Sequence, residues 1–319
     1  MRNYIQIAVF FACGLVFSFL ADNYWLDIMI FAMWYVYLCT TWNIIGGIAG
    51  QFNFAHPVYV ALGGYTSSLL FNHLGISPWL GMFAGAALAA MLALVMSWIN
   101  FRRRLPHLTY ALITLAITFI AVMVLRSFHF LGGSEGIFLM RANDPLTFRF
   151  FDKSIYFMII LTATCLVLVF VTWLLRSPAG LKLMALRDNE DAAVMLGINQ
   201  LRMVLWASTL SAALGAFGGT FYAQYLYVID PSVPNSHLAV EIVLFTAIGG
   251  IGTVWGPVLG PLVMVVLIRF LNAEFVEIAG LGQVIYGLLI VLILVLLKDG
   301  VISWAGRSLS ARHTAQQRN

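Results

Sequence analysis

Charged residues are scarce in this sequence. Only 9% of the 319 residues are Asp, Glu, Lys or Arg, whereas 62% are hydrophobic, and the mean hydropathy is +0.94. A typical soluble domain is about 25% charged because its surface must be polar. The composition therefore excludes an ordinary soluble enzyme, a disordered chain and a secreted disulfide scaffold. The apolar runs do not alternate with polar residues, so an outer-membrane barrel is excluded too. We expect an all-α, polytopic integral membrane protein.

Sequence signatures of catalysis are also lacking. The three cysteines, Cys13, Cys39 and Cys165, lie inside apolar runs and predict buried thiols, with no paired spacing for a disulfide framework or a zinc site. The patterns G-x-x-x-x-G-K-[ST], H-E-x-x-H and G-x-S-x-G do not occur. Apart from Glu241, the apolar runs hold almost no acids, whereas a proton-coupled carrier needs intramembrane relays. We therefore expect no catalytic residue, no metal and no cofactor in this chain, and an energy source in another subunit.

The apolar residues form ten segments of membrane-spanning character. They cover roughly 3–20, 27–47, 57–72, 79–99, 108–126, 155–175, 202–223, 238–253, 257–272 and 280–297. The third and eighth are short and glycine-rich, so we expect eight to ten full crossings and two broken or re-entrant segments. Residues 1–300 are predicted to form a single transmembrane domain, followed by a basic cytoplasmic tail, 301–319.

The basic residues predict the orientation. With the N-terminus in the cytoplasm and alternating crossings, 12 of the 17 Lys and Arg residues lie inside, as the positive-inside rule requires. Both termini are then cytoplasmic, the loop 127–154 is external and the loop 176–201 is internal. The run 102–104 is three arginines, which we interpret as a topology anchor, with a nucleic-acid patch as the rejected alternative.

Two glycine-rich stretches interrupt the apolar pattern. We call residues 46–57 the first break and residues 247–261 the second break; Gly46-Gly47-Ile48-Ala49-Gly50 is similar to Gly249-Gly250-Ile251-Gly252. Irregular backbone in a bilayer occurs inside protein or along a water-filled path, and paired interrupted segments indicate a transport site. The alternative is a kinked packing contact, in which Gly63 and Gly64 let helices approach. The predicted translocation path comprises Asn43, Gly50, Gln51, Asn53, His56, Tyr65, Thr66, Gly249 and Gly250.

The internal loop predicts a short surface helix. Asp188 or Asn189 is a suitable N-cap, Glu190 and an acidic neighbour follow in the first turn, and Gly197 is a suitable C-terminal stop. Such a short helix is marginal alone and needs something to pack on. The alternatives are the lipid surface and a soluble partner, and the acidic first turn disfavours the negative inner leaflet. The predicted docking residues are Arg187, Asp188, Asn189, Glu190, Ala193, Leu196 and Gly197.

Four ordered stretches carry a family resemblance. The motifs of one family of membrane proteins are matched in order by residues 47–66, 114–117 with 132–136, 177–199 and 249–260. Ala55, Pro57 and Glu135 depart from those motifs. The sequence resembles the second of the two related permeases in ABC importers for branched-chain amino acids. Importers for urea and short amides share the pattern.

The resemblance implies a division of labour. A second permease would complete the pore, two ATP-binding subunits would bind ATP and dock on the loop 177–199, and a periplasmic binding protein would deliver the solute. The chain would lie in a bacterial inner membrane, among lipid, with no nucleic acid bound. Urea or short-amide import is the alternative substrate class, and a secondary transporter is the alternative mechanism.

Overall fold

The computed structural model describes residues 2–103, 105–140, 144–275 and 281–296, and within these ranges the chain is almost entirely helical. Its helices are α1 (Arg2–Leu20), α2 (Asn23–Asn43), α3 (His56–Leu74), α4 (Pro78–Arg103), α5 (His107–Ser127), α6 (Lys153–Leu174), α7 (Pro178–Asp188), α8 (Glu190–Met195), α9 (Gln200–Leu226), α10 (Ser236–Gly249), α11 (Gly256–Glu274) and α12 (Leu281–Leu296). The fold is that of an all-α, polytopic membrane protein, as predicted. The predicted tail, 301–319, lies outside the described residues.

Each of the ten predicted apolar segments is occupied by a helix. On length and composition, six helices in the described ranges can cross a membrane: α1, α2 with the turn that follows it, α4, α5, α6 and α9. The eighth segment is short, as expected, because α10 has 14 residues and spans about 21 Å of the roughly 30 Å hydrocarbon core. The third segment was predicted to be short but is not, since α3 runs for 19 residues through its two glycines.

The helices run back and forth between two ends of the bundle. We call the end that carries α7 and α8 the α8 end. The opposite, strand end carries two short strands, β1 (Ile137–Phe138) and β2 (Val228–Ile229), which pair antiparallel with Ile137 opposite Ile229. Helix α1 begins at the α8 end, where the guanidinium of Arg176 lies 5.4 Å from the centre of the Tyr4 ring.

Helix α2 forms the centre of the bundle, and most of its side chains are buried. Trp34 Nε1 donates to the carbonyl oxygen of Gly218 at 2.9 Å, and the Tyr37 hydroxyl donates to the carbonyl oxygen of Leu214 at 2.8 Å. These bonds fix α2 against α9. Helices α1 and α5 are mostly exposed and apolar, so in a membrane their outer faces meet lipid or another subunit.

Small residues bring α3, α4 and α9 close together. Gly63 faces the backbone of Ala216, and a Cβ atom on Gly85 would lie 2.8 Å from Gly63 Cα. The Thr220 hydroxyl donates to the carbonyl oxygen of Gly63 at 3.2 Å. The packing role considered for Gly63 and Gly64 is therefore confirmed, and it explains why these glycines do not end α3: close helix contacts support the backbone there.

The loop between α5 and α6 closes over the strand end. Residues 132–136 form a tight turn with positive φ at Gly132, Gly133 and Gly136. The Trp79 ring stacks on Phe148 with ring centres 4.1 Å apart, and Trp79 Nε1 donates to the carbonyl oxygen of Pro145 at 3.0 Å. These contacts tie the loop to the first turn of α4.

Candidate translocation and coupling site

The first break follows closely on the end of α2. Residues Ile44–Ile48 form one π-helical turn, and Gly50 follows with φ +73°, a conformation that side chains other than glycine rarely adopt. The Gln51 N–H donates back to the carbonyl oxygen of Ile45 at 3.0 Å. The wide turn and the glycine together reverse the chain, so that α3 begins inside the protein.

Asn53 satisfies the irregular backbone of the first break. Its Oδ1 accepts from Ala55 N at 2.7 Å, and its Nδ2 lies 3.2 Å from the Tyr59 hydroxyl and 3.3 Å from that of Tyr110. Its carbonyl oxygen accepts from Trp42 Nε1 at 2.7 Å. Asn53 is 1% exposed, so it joins α2, α3 and α5 within the protein and pairs two backbone groups of the break.

His56 lies at the start of α3 in a packed interior. Its Nε2 is 3.1 Å from Thr41 Oγ1, and that hydroxyl already donates to the carbonyl oxygen of Leu38 at 2.9 Å. A proton on Nε2 is the assignment that satisfies both bonds of this hydroxyl. Nδ1 has no hydrogen-bond partner among the described residues. The ring packs on Gly215, where a Cβ atom would lie 2.9 Å from His56 Cε1.

The second break contacts the first through Asn43. Gly252 N donates to Asn43 Oδ1 at 2.9 Å, and Asn43 Nδ2 donates to the carbonyl oxygen of Thr253 at 3.0 Å. Asn43 is fully buried, and both polar atoms of its amide are engaged. A Cβ atom on Gly47 would lie 2.6 Å from Gly252 N. The two glycine stretches, similar in sequence, are therefore packed directly on each other.

Arg187 connects the surface helices to both breaks. Its Nη1 donates to the carbonyl oxygen of Gly47 at 3.0 Å, while its Nε and Nη2 donate to Asp188 Oδ1 at 3.0 and 2.9 Å. A Cβ atom on Gly50 would lie 2.6 Å from Arg187 Cγ, and one on Gly252 would lie 2.6 Å from Arg187 Nη1. The guanidinium thus fills the space where the breaks meet.

The internal loop forms two helices, where we had expected one. Ser177 caps α7 by accepting from Gly180 N at 3.2 Å, and Pro178 occupies its first turn. Asn189 ends α7 and begins α8, accepting from Ala192 N at 3.0 Å. Gly197 follows α8 with φ +84°. The predicted N-cap and glycine stop of the second helix are confirmed, and the proline-capped α7 was missed.

Helix α8 presents apolar side chains to the outside. Of the two apolar side chains among the predicted docking residues, Ala193 is buried, whereas Leu196 is 82% exposed. Met195 is 88% exposed as well. Glu190 is held by Gln200, whose Nε2 donates to its Oε1, and lies 3.9 Å from His107 on α5. The exposed apolar tip, on a helix anchored at its acidic start, is suited to contact another protein.

The structure brings only part of the predicted path together. Asn43 and Gly50 lie where the two breaks and Arg187 meet, whereas Gly249 and Gly250 lie at the end of α10 and pack against Gly256. Gln51, Asn53 and His56 are buried in the adjoining interior. Tyr65 and Thr66 lie farther along α3, toward the strand end. The Tyr65 hydroxyl is buried and has no hydrogen-bond partner in the described part of the chain. None of these nine residues lines the cavity at the strand end that is described below.

A cluster at the strand end was missed by sequence reasoning. Asp27, in the second turn of α2, pairs with Lys153 of α6 and accepts from the Tyr225 hydroxyl of α9. Nearby, the Arg269 guanidinium of α11 lies 4.7 Å from the centre of the Phe31 ring. The available signal was the single arginine within the ninth apolar segment, since ionisable residues there are expensive and usually functional.

The fold and the two joined breaks define a class: a multi-pass membrane protein with an irregular interior site linked to surface helices. The family model described as the permease component of the branched-chain amino acid transport system matches residues 24–294. The chain belongs to this family. It is therefore a membrane transport permease subunit and not a catalytic enzyme.

Similar proteins have related descriptions. The high-affinity branched-chain amino acid transport permease LivM of Escherichia coli is 24% identical over 99% of this chain and 78% of its own length. LivH of Salmonella typhimurium is 24% identical over 84% of this chain and 91% of its own. The ribose import permease RbsC of Bacillus subtilis is 28% identical over 47% of this chain. No solved structure matches.

Proposed function

We propose that this chain is one of two permease subunits of an ATP-driven importer for branched-chain or related amino acids. A second permease completes the pore, two ATP-binding subunits dock at the α8 end, and a periplasmic binding protein delivers the solute to the strand end. The chain lies in a bacterial inner membrane, with both termini in the cytoplasm. It holds no ATP or other cofactor itself.

The observation that carries the proposal is the bond from Arg187 to Gly47. Helix α8 offers an exposed apolar tip for a partner, and α7 ends in a side chain that reaches the first break. Movement of a docked partner would therefore displace the Gly47 carbonyl and the Asn43–Gly252 contact together. The breaks are the part of the interior least held by regular helical hydrogen bonds, so they can change shape at low cost.

The amino-acid class comes from the relatives. LivM and LivH are described as branched-chain amino acid permeases, and both align over most of this chain. The chain itself carries few intramembrane acids to support an ion-coupled carrier, which favours ATP over an ion gradient as the energy source.

The test is uptake into vesicles that contain the chain together with its candidate second permease, ATP-binding subunits and binding protein. Labelled leucine, urea and ribose are compared with and without ATP. We expect leucine uptake only with ATP and binding protein. Urea or ribose uptake alone would replace the proposed solute class, and uptake driven by an ion gradient without ATP would overturn the mechanism. A Glu241→Gln variant controls for coupling through the buried carboxylate.

A further inference from the structure

A cavity of about 660 Å³ opens at the strand end, away from the two breaks. It lies between the first turns of α2, the start of α6, the end of α9 and the last turns of α11. Its volume is within the roughly 300–1,000 Å³ range of small-molecule sites. None of the residues predicted for the translocation path lines it.

Charges of both signs face this cavity. Asp27 and Lys153 form a half-exposed ion pair, with 38% and 36% of their side chains exposed. Tyr225 holds the Asp27 carboxylate from the other side. A carboxylate has about four acceptor sites and an ammonium has three donors, so each partner keeps capacity for a ligand.

Arg269 supplies the second cationic group. Its guanidinium lies over Phe31, and it has no carboxylate within 4 Å among the described residues. Stacking engages the face of the guanidinium and leaves the edge N–H groups available, in a fork that matches a carboxylate. Phe31 in turn packs edge-on to Tyr225, with ring centres 5.7 Å apart. Arg269 and Asp27 are thus separated by two aromatic rings.

We propose that this cavity binds a free zwitterionic α-amino acid. Its carboxylate pairs with Arg269 and Lys153, its ammonium pairs with Asp27, and its apolar side chain lies against Phe31, Phe150 and Tyr24. A simple anion meets the Asp27 carboxylate and a simple cation meets Arg269, so neither suits the cavity as well as a zwitterion. That the bound amino acid is the transported solute rests on the proposed function. The match between the charges of the cavity and those of a zwitterion does not depend on it.

The solute binds at this site before it enters the translocation path. The cavity lies at the end opposite α7 and α8, and Asp27, Lys153 and Tyr225 join α2, α6 and α9 there. Helix α6 leads into α7 and α9 leads out of α8. An amino acid that binds the cluster therefore contacts the two helices that carry the proposed docking elements.

The test measures equilibrium binding to the full permease and ATPase complex, without binding protein, in phosphatidylglycerol nanodiscs. The probes are leucine, 4-methylpentanoate, which lacks the ammonium, and 3-methylbutylamine, which lacks the carboxylate. We expect leucine to bind at least tenfold more tightly than either analogue. Equal binding of either analogue overturns the zwitterion assignment, and so does loss of leucine binding when phosphatidylethanolamine is added, because the cavity then holds a zwitterionic headgroup.

Variants locate the binding. Arg269→Gln should weaken leucine binding at least tenfold, whereas Arg126→Gln, which removes an exposed arginine from the last turn of α5, should change it less than twofold. Unchanged binding by Arg269→Gln overturns the location. The analogue series on the unaltered chain decides the question even where a variant folds poorly. If the complex takes up leucine with ATP but does not bind it in this assay, the proposed site is refuted and the proposed function stands. If leucine binds but ATP drives no uptake, the proposed function is refuted and the site stands.

Discussion

The Arg187 guanidinium lies 3.0 Å from the carbonyl oxygen of Gly47, 140 residues away in the sequence. The bond joins the last turn of a surface helix to the π turn that ends the central membrane helix. The same arginine packs against Gly50 and Gly252, so this side chain of α7 contacts both glycine breaks.

Replacing Arg187 tests this connection. Arg187→Ala should lower ATP-dependent uptake at least tenfold, because the surface helices lose their bond to the first break. Lys182→Ala, which removes an exposed cation from the same helix, should stay within twofold. Uptake and copurification of the ATP-binding subunits are measured together. Normal uptake by Arg187→Ala, at normal expression, contradicts a transmitting role.

Charge reversal at Glu190 tests the docking helix. Glu190→Lys places a cation in the first turn of α8, where the helix dipole favours an anion by about 0.3–1 kcal/mol, and it removes the acceptor of Gln200. We expect ATP hydrolysis to continue without uptake. Glu190→Gln keeps an acceptor and should retain most uptake. Full uptake by Glu190→Lys would remove Glu190 from the docking assignment.

Gly50 has both a positive φ and a close neighbour. Gly50→Leu should therefore abolish uptake and lower the unfolding temperature, since the left-handed conformation alone costs about 1–2 kcal/mol and Arg187 Cγ stands 2.6 Å from the new Cβ position. Gly75→Leu is the matched control, because its φ is +66° and nothing lies within 4 Å. Thermal unfolding is followed in detergent. Equal effects of both substitutions would show that the positive φ, and not the contact with Arg187, causes the loss of stability.

Asn43 holds the two breaks together. Asn43→Leu should destabilise the chain by about 1–3 kcal/mol, because it removes two hydrogen bonds, to Gly252 N and to the Thr253 carbonyl oxygen, each worth about 0.5–1.5 kcal/mol. Asn72→Leu, at the exposed end of α3, should have little effect beyond its 3.3 Å bond to Phe138. Unfolding by heat or denaturant gives the difference. An unchanged stability of Asn43→Leu contradicts a bridging role for this amide.

Much of the candidate site could be predicted because its signals are local. Asn189 is a cap because its side chain reaches an N–H three residues later, and Gly197 stops α8 because its own backbone adopts positive φ. The same reasoning missed α7, although Ser177 and Pro178 are a cap and a first-turn proline. The docking role of Leu196 stays a prediction, since its exposed side chain could contact a protein or lipid. The pathway role of Tyr65 also stays a prediction, since its buried hydroxyl does not show whether solute passes it.

The sequence by itself determined the membrane class, the apolar segments, the two breaks and the capped surface helix. Each depends on composition or on residues a few positions apart. Only the tertiary structure decided that the breaks contact each other through Asn43 and Gly252, 209 residues apart, and that Arg187 lies between them. It also decided that Asp27, Lys153 and Arg269 share one cavity. Such contacts depend on how helices pack, and in apolar segments that packing is set by small residues and by a few buried polar groups, whose partners no local pattern specifies.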